Sequence, residues 1–150
     1  VGLATCYDVR FPELYRKFVD AGVQTVVQVA AWPARRVSHW VTLCRARAIE
    51  KQMFVLACAG AGTQGDIEMS GHSLVIDPWG EVLAEADSAP TTIYAEIDPG
   101  YVATTRERFP VLRDRRLYAV AGPPPRDHPI RCLLRQLGHQ VQHPRGLRRA

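Results

Sequence analysis

At 150 residues with 47% hydrophobic content, the chain suits one globular domain with a real core and is too short to make two domains the expectation. No apolar run approaches the roughly 20 residues of a membrane helix, and the first residues lack the basic-then-apolar order of a secretion signal, so the reading is a soluble, cytoplasmic protein with no membrane partner. The net charge of +4 is unevenly placed: residues 1–122 carry 13 of the 19 Lys and Arg against 14 of the 15 Asp and Glu, whereas residues 123–150 carry 6 against 1, so the basic character belongs to the last segment.

"VGLATC" is a short apolar run that suits a buried strand, and "FPELYRKFVDAG" after it has Pro near a helix start and Gly at its end. "VQTVVQVAAW" is rich in β-branched residues and reads as the next buried strand. In "SHWVTLCRARAIEKQ" the residues Trp40, Leu43, Ala46 or Arg47, and Glu50 recur at helical intervals, with Ser38 as the expected N-cap. "MFVLACAG" is a third strand, so strands alternate with helices, as in an α/β sheet with helices packed on it.

From Gly60 the pattern changes. "GAGTQGDIEMSGHS" reads as a loop, "SLVIDPWGEVLAEA" as two strands around a D-P-W-G turn, and "TTIYAEI" as a further strand, which together predict antiparallel hairpins. "DPGYVATTRERF" returns to helix, with Asp98 at the N-cap and Pro99 at the first helical position. Five of the 11 prolines fall in residues 123–150, which sets a boundary near Gly122: a domain over 1–122, then a basic Pro/Arg-rich tail, poorly ordered except where "IRCLLRQLGHQV" has the pattern of a short amphipathic helix. The tail's six arginines lack an aromatic platform, so nucleic-acid binding is disfavoured.

The chemistry-bearing stretch is "LATCYDVRFPEL". A nucleophile is well presented where a strand ends and the chain turns into a helix, because backbone N–H groups there are free to face a developing oxyanion. Cys6 has that position; the competing reading is a buried thiol used as a small apolar group. Cys6, Cys44, Cys58 and Cys132 form no C-x-x-C pair, and His72 adds no metal-ligand spacing, so no metal is expected. A Cys–His dyad with His39 or His72 has no local sequence support, and Gly60, Gly62 and Gly65 do not make a phosphate-binding G-x-G-x-x-G.

"CYDVRFPEL", "HWVTLCRARAIEKQMFV" and "GHSLVIDPWGEVLAEA", in this order, resemble motifs of the nitrilase superfamily, the carbon–nitrogen hydrolases, and within it the omega-amidase-like branch. The resemblance implies the C-terminal portion of an α-β-β-α sandwich. It implies hydrolysis of small amides or nitriles through a cysteine thioester, with no cofactor. Cys6 matches the nucleophile, and Tyr7 the residue whose backbone N–H helps to hold the oxyanion. Asp8, Arg10 and Glu13 match supporting positions, read as an ion-pair and capping set that fixes the turn bearing the sulfur. Trp32 and Pro33 correspond to a region bordering the substrate pocket, with a core tryptophan as the competing reading for Trp32. Arg35 and Arg36 follow in the same loop, either as solvated charges or as a bidentate clamp for a substrate carboxylate.

The family completes its site with a glutamate base and an oxyanion-stabilising lysine, both upstream of the cysteine, and only five residues precede Cys6 here. Glu50 and Lys51 match neither by motif; adjacent helical residues point about 100° apart. General-base assistance commonly contributes about 10² to 10⁴ in rate, so the expectation is activity in the complete protein and little or none in this chain alone. The partners implied are a small amide or nitrile substrate and either further copies of the chain or a missing N-terminal half. The alternative is a non-catalytic remnant acting as an assembly or binding module.

Overall fold

A computed structural model describes residues 1–116, of which Val1–Arg115 form one compact unit. The boundary near Gly122 and the tail of residues 123–150 lie outside the described residues.

Strand β1 (Gly2–Thr5) runs into a 3₁₀ turn, Cys6–Arg10, and then into α1 (Pro12–Asp20), where proline stands at the start because an N–H in the first turn has no helical acceptor to lose. The β-branched run forms β2 (Thr25–Ala30), a second 3₁₀ turn covers Ala34–Arg36, and α2 (Val37–Lys51) leads to β3 (Phe54–Ala59). Two short strands, β4 (Thr63–Gln64) and β5 (Ile67–Glu68), precede β6 (Leu74–Ile76) and β7 (Val82–Glu85), and α3 (Gly100–Arg108) follows.

The main sheet has the order β1-β2-β3-β6-β7. The first three strands are parallel, which requires the helical crossovers α1 and α2 between them, and the last pairs are antiparallel, which lets the D-P-W-G turn join β6 to β7 directly. The two faces of the sheet differ. Ala4, Val26, Val55, Ala57, Leu74 and Ile76 are buried with Tyr15 of α1 and Trp40, Cys44 and Ala48 of α2, so the core lies between the sheet and its helices. On the other face, Leu3, Val27, Leu56, Val75 and Ala84 form one continuous register row across all five strands. Leu3, on the edge strand, is 76% exposed, and the rest of that row is half-buried.

Four sequence expectations are corrected. "TTIYAEI" forms no strand: a strand needs a ladder, none of the described strands pairs with residues 91–97, and Tyr94 is 86% exposed. The stretch read as a loop from Gly60 contains the β4-β5 hairpin, with Gly65 and Asp66 between Gln64 and Ile67. Ser38 is not the N-cap of α2; the 3₁₀ turn Ala34–Arg36 feeds straight into the helix, Arg36 holds the cap position, and Ser38 lies inside the first turn. At α3 the expected cap is also shifted by one residue: Pro99, not Asp98, holds the cap position before Gly100, while Asp98 Oδ1 accepts from Gly100 N–H at 2.8 Å.

Candidate active site

The site is built on the junction after β1. Cys6 takes φ +46, the left-handed region, which costs a non-glycine residue on the order of 1 kcal/mol and persists only where neighbours hold it. Asp8 supplies part of that hold, because its Oδ2 accepts from Thr5 N–H at 2.9 Å and closes the turn around the cysteine. Cys6 is half-buried, with Sγ 3.9 Å from the carbonyl oxygen of Ala31, just past the end of β2.

Beneath the turn lies a buried polar chain. Gln28, fully buried on β2, sends Nε2 to the carbonyl oxygens of Cys6 at 3.4 Å and of Val29 at 3.3 Å. Its Oε1 accepts from the hydroxyl of Tyr15, also fully buried, and burial pushes the Tyr15 phenol above its ordinary range. Arg47 covers the Tyr15 ring, with its guanidinium carbon 5.4 Å from the ring centre, and donates through Nε to Val9 O at 2.9 Å. Two carbonyls of the Cys6–Arg10 turn are thus held from below, one from β2 and one from α2. Farther along α2, Glu50 takes the Arg47 Nη1 at 2.5 Å and lies 3.1 Å from Lys51 Nζ. Burial lowers the Lys51 pKa against the pull of Glu50. Glu50 and Lys51 therefore serve this internal ion-pair group.

Above the turn, aromatic and cationic groups gather. Tyr7 is exposed, with its ring edge-on to Phe11 at 5.5 Å. Arg10 lies over both the Tyr7 ring, at 5.5 Å, and the Trp32 ring, at 5.0 Å, and Nη2 reaches His39 Nδ1 at 3.4 Å. The expected ion-pair set is therefore corrected: Asp8 caps, Arg10 stacks on rings, and Glu13 is exposed on α1, with none of the three in an ion pair described for residues 1–116. Trp32 is a core residue, 2% exposed, with Nε1 donating to Arg36 O at 2.7 Å, and the Arg36 guanidinium lies 5.9 Å from its ring centre. Pro33 is half-buried and bridges to Met69, while Arg35 and Arg36 are exposed. His72 turns to Glu85, 2.9 Å from Nδ1, so the described bonds of both imidazoles run to partners other than the thiol.

A strained cysteine between a parallel strand and a helix, braced by buried side chains, stands in the segment that matches the Carbon-nitrogen hydrolase family model over residues 1–107. The chain belongs to the carbon–nitrogen hydrolase family. Its sequence is 46% identical over 123 residues to the 2-oxoglutaramate amidase of Paenarthrobacter nicotinovorans, covering 81% of this chain and 42% of that relative. In structure it is similar to the C. elegans NitFhit protein, with a TM-score of 0.73 and 44% identity over 77% of this chain and 28% of that one. A variant of the amidase from Nesterenkonia sp. AN1 was solved with the acetamide moiety of fluoroacetamide added covalently at its active site cysteine. It matches with a TM-score of 0.65 and 29% identity, over 76% of this chain and 40% of its own. This member of the carbon–nitrogen hydrolase family therefore spans less than half the length of the relatives it matches.

Within the family segment, Gln28, Tyr15 and Arg47 are the residues that sequence reasoning passed over as part of the site. One signal was present for Gln28: a lone polar side chain inside the run "TVVQVA", in register with the buried positions. Tyr15 and Arg47 carry no comparable mark, since helical spacing places a residue on a face without saying which carbonyl it will meet.

Proposed function

We propose that Cys6 is the nucleophile of an amidase acting on small amides that carry a carboxylate. The observation that carries this reading is the positive φ of Cys6 at the end of β1, half-buried beside Ala31 O, in a turn whose carbonyls are held from within. Such a turn fixes the sulfur before substrate arrives, and orientation of that kind is a large part of catalysis by bound nucleophiles.

In the reaction, Sγ attacks the amide carbon while its proton passes to a general base. The carbonyl oxygen becomes an oxyanion, held in part by Tyr7 N–H. The C–N bond then breaks, ammonia leaves with a proton, and a thioester remains on Cys6. Water attacks the thioester, the acid departs, and the thiol regains its proton. The mechanism calls for a general base and a cation facing the oxyanion; Glu50 and Lys51 are instead engaged with each other, and Glu50 with Arg47.

The carboxylate preference is supported by charge around the rim. Arg10, in the same turn as Cys6, and Arg36 both lie against the Trp32 ring, and Arg35 and Arg36 are exposed, which offers guanidinium groups to a substrate anion. A relative named for 2-oxoglutaramate, a monoamide that keeps a free carboxylate, points the same way. The test is ammonia release by the protein at its natural length, with 2-oxoglutaramate and acetamide as substrates. The expected result is faster turnover of 2-oxoglutaramate and none of either by Cys6→Ala; retained turnover in that variant would overturn the nucleophile assignment, and equal turnover of the two amides would overturn the carboxylate preference.

A further inference from the structure

We propose that Gln28 is a positioning residue that aims the Tyr7 backbone N–H at the oxyanion; the inference rests on the reading of Cys6 as nucleophile. The Cys6–Tyr7 peptide is trans, and in a trans peptide the C=O and N–H point to opposite sides of one rigid plane. Whatever fixes the carbonyl of Cys6 therefore fixes the direction of the Tyr7 N–H. Gln28 takes that carbonyl from the buried side at 3.4 Å, which turns the N–H away from the core, toward the side on which Tyr7 is exposed.

The orientation of the Gln28 amide is not arbitrary. Cys6 O and Val29 O are both acceptors without hydrogens, so the side facing them must be the NH₂ group. Oε1 then faces Tyr15, whose hydroxyl must donate to it. Tyr15 is fully buried, and burial keeps the phenol protonated against the opposing pull of the Arg47 guanidinium on its ring, so its hydrogen goes to Gln28 Oε1. The order Arg47, Tyr15, Gln28, Cys6 O is a chain of orientation, each member limiting the freedom of the next. A glutamine inside an otherwise apolar run is costly to bury without such partners, which gives its presence on β2 a physical reason.

The experiment compares kcat and KM for 2-oxoglutaramate, the rate of Cys6 alkylation by iodoacetamide, and thermal stability in the protein at its natural length, with Gln28→Met and Gln28→Glu. Alkylation displaces iodide without forming an oxyanion, so it reports the placement of the thiol alone. For Gln28→Met the expected result is a fall in kcat of about 10- to 100-fold, with KM changed by less than about twofold and the alkylation rate, which senses the turn but no oxyanion, falling far less than kcat. For Gln28→Glu, only a protonated carboxyl can donate to Cys6 O, so the ratio of variant to parent kcat should rise as pH falls. An unchanged kcat in Gln28→Met, a kcat loss matched by an equal loss of alkylation, or a flat ratio in Gln28→Glu would each overturn the proposal. If Gln28→Met does not fold, the slope of the Gln28→Glu ratio decides. Turnover that survives Cys6→Ala sinks the functional reading itself, whereas turnover lost in Cys6→Ala but kept in both Gln28 variants sinks only this inference.

Discussion

Arg47 Nε donates to the carbonyl oxygen of Val9 at 2.9 Å, tying the middle of α2 to the turn that begins at Cys6. The same guanidinium holds Glu50 and covers Tyr15, so one side chain, 5% exposed, serves three neighbours. Arg47→Met keeps the volume but leaves a buried carbonyl and a half-buried carboxylate short of a donor. The expected loss is about 2 to 4 kcal/mol in urea unfolding, and Arg47→Lys should recover less than half of it, because an ammonium cannot reproduce the guanidinium fork.

The D-P-W-G turn predicts a second, smaller effect. Asp77 is 7% exposed, and its Oδ1 accepts from Trp79 N–H at 2.8 Å and from Glu81 N–H at 2.9 Å. Asp77→Ala removes both bonds to a charged acceptor and should cost about 1.5 to 3 kcal/mol, whereas Asp77→Asn keeps an oxygen in place and should cost less than half as much. Urea midpoints of the two variants, measured side by side, check the ratio.

Two glycines separate a clash that can be relieved from one that cannot. A Cβ on Gly71, at φ +59, would stand 2.4 Å from the backbone oxygen of Asp87; on Gly80, at φ +94, it would stand 2.3 Å from Cγ1 of Ile49. Each alanine substitution should cost about 2 to 4 kcal/mol through strain and overpacking. Adding Ile49→Ala to Gly80→Ala should return about 1 kcal/mol by opening space. No side-chain deletion should rescue Gly71→Ala, where the obstacle is main chain. Thermal denaturation of the single and double variants is the check.

Alkaline stability follows from the buried titratable groups. Burial pushes the Cys44 thiol up to about 12, with Arg47 opposing. An unfolded thiol ionises near about 8.5, so above that pH the native state keeps a proton that the unfolded chain has lost. The contribution is whole below about 8.5 and falls as pH rises toward the native value. Tyr15, raised by burial, acts the same way above about 10, while Lys51, lowered by burial, adds stability as pH rises from its native value to about 10.4. Cys44→Ala should therefore show a shallower loss of stability than the parent between pH 8.5 and pH 10, read from urea midpoints at each pH; an unchanged slope would count against this contribution.

Much of the fold was legible in the sequence because local and tertiary signals agreed there. The apolar runs at β1, β2 and β3, Pro12 at the head of α1 and the D-P-W-G turn all carry a cause that acts within a few residues. "TTIYAEI" failed because alternation supplies a face and not a partner strand, and Ser38 failed because a 3₁₀ turn had already supplied the helix start. At the candidate site, the place of Cys6 between strand and turn was legible in the apolar run before it, while the role proposed for it came from the resemblance of "CYDVRFPEL" and not from its position. Arg10 was misjudged, since nothing in "CYDVRFPEL" reveals that Trp32 and His39 will lie beside it rather than a carboxylate.

The bonds that brace the cysteine span 22 residues to Gln28, 25 to Ala31 and, through Val9, 38 to Arg47. A segment cut from the first 20 residues would carry the whole motif and none of these contacts. Bringing such distant positions together costs loop-closure entropy before any contact repays it, so the bent conformation at Cys6 belongs to the cooperative assembly of β1, β2 and α2 rather than to the motif itself. During synthesis the sulfur exists long before its geometry does. Under the proposed amidase role, competence for amide cleavage arrives with native topology, which would make turnover a more demanding reporter of complete folding than thiol reactivity or helix content.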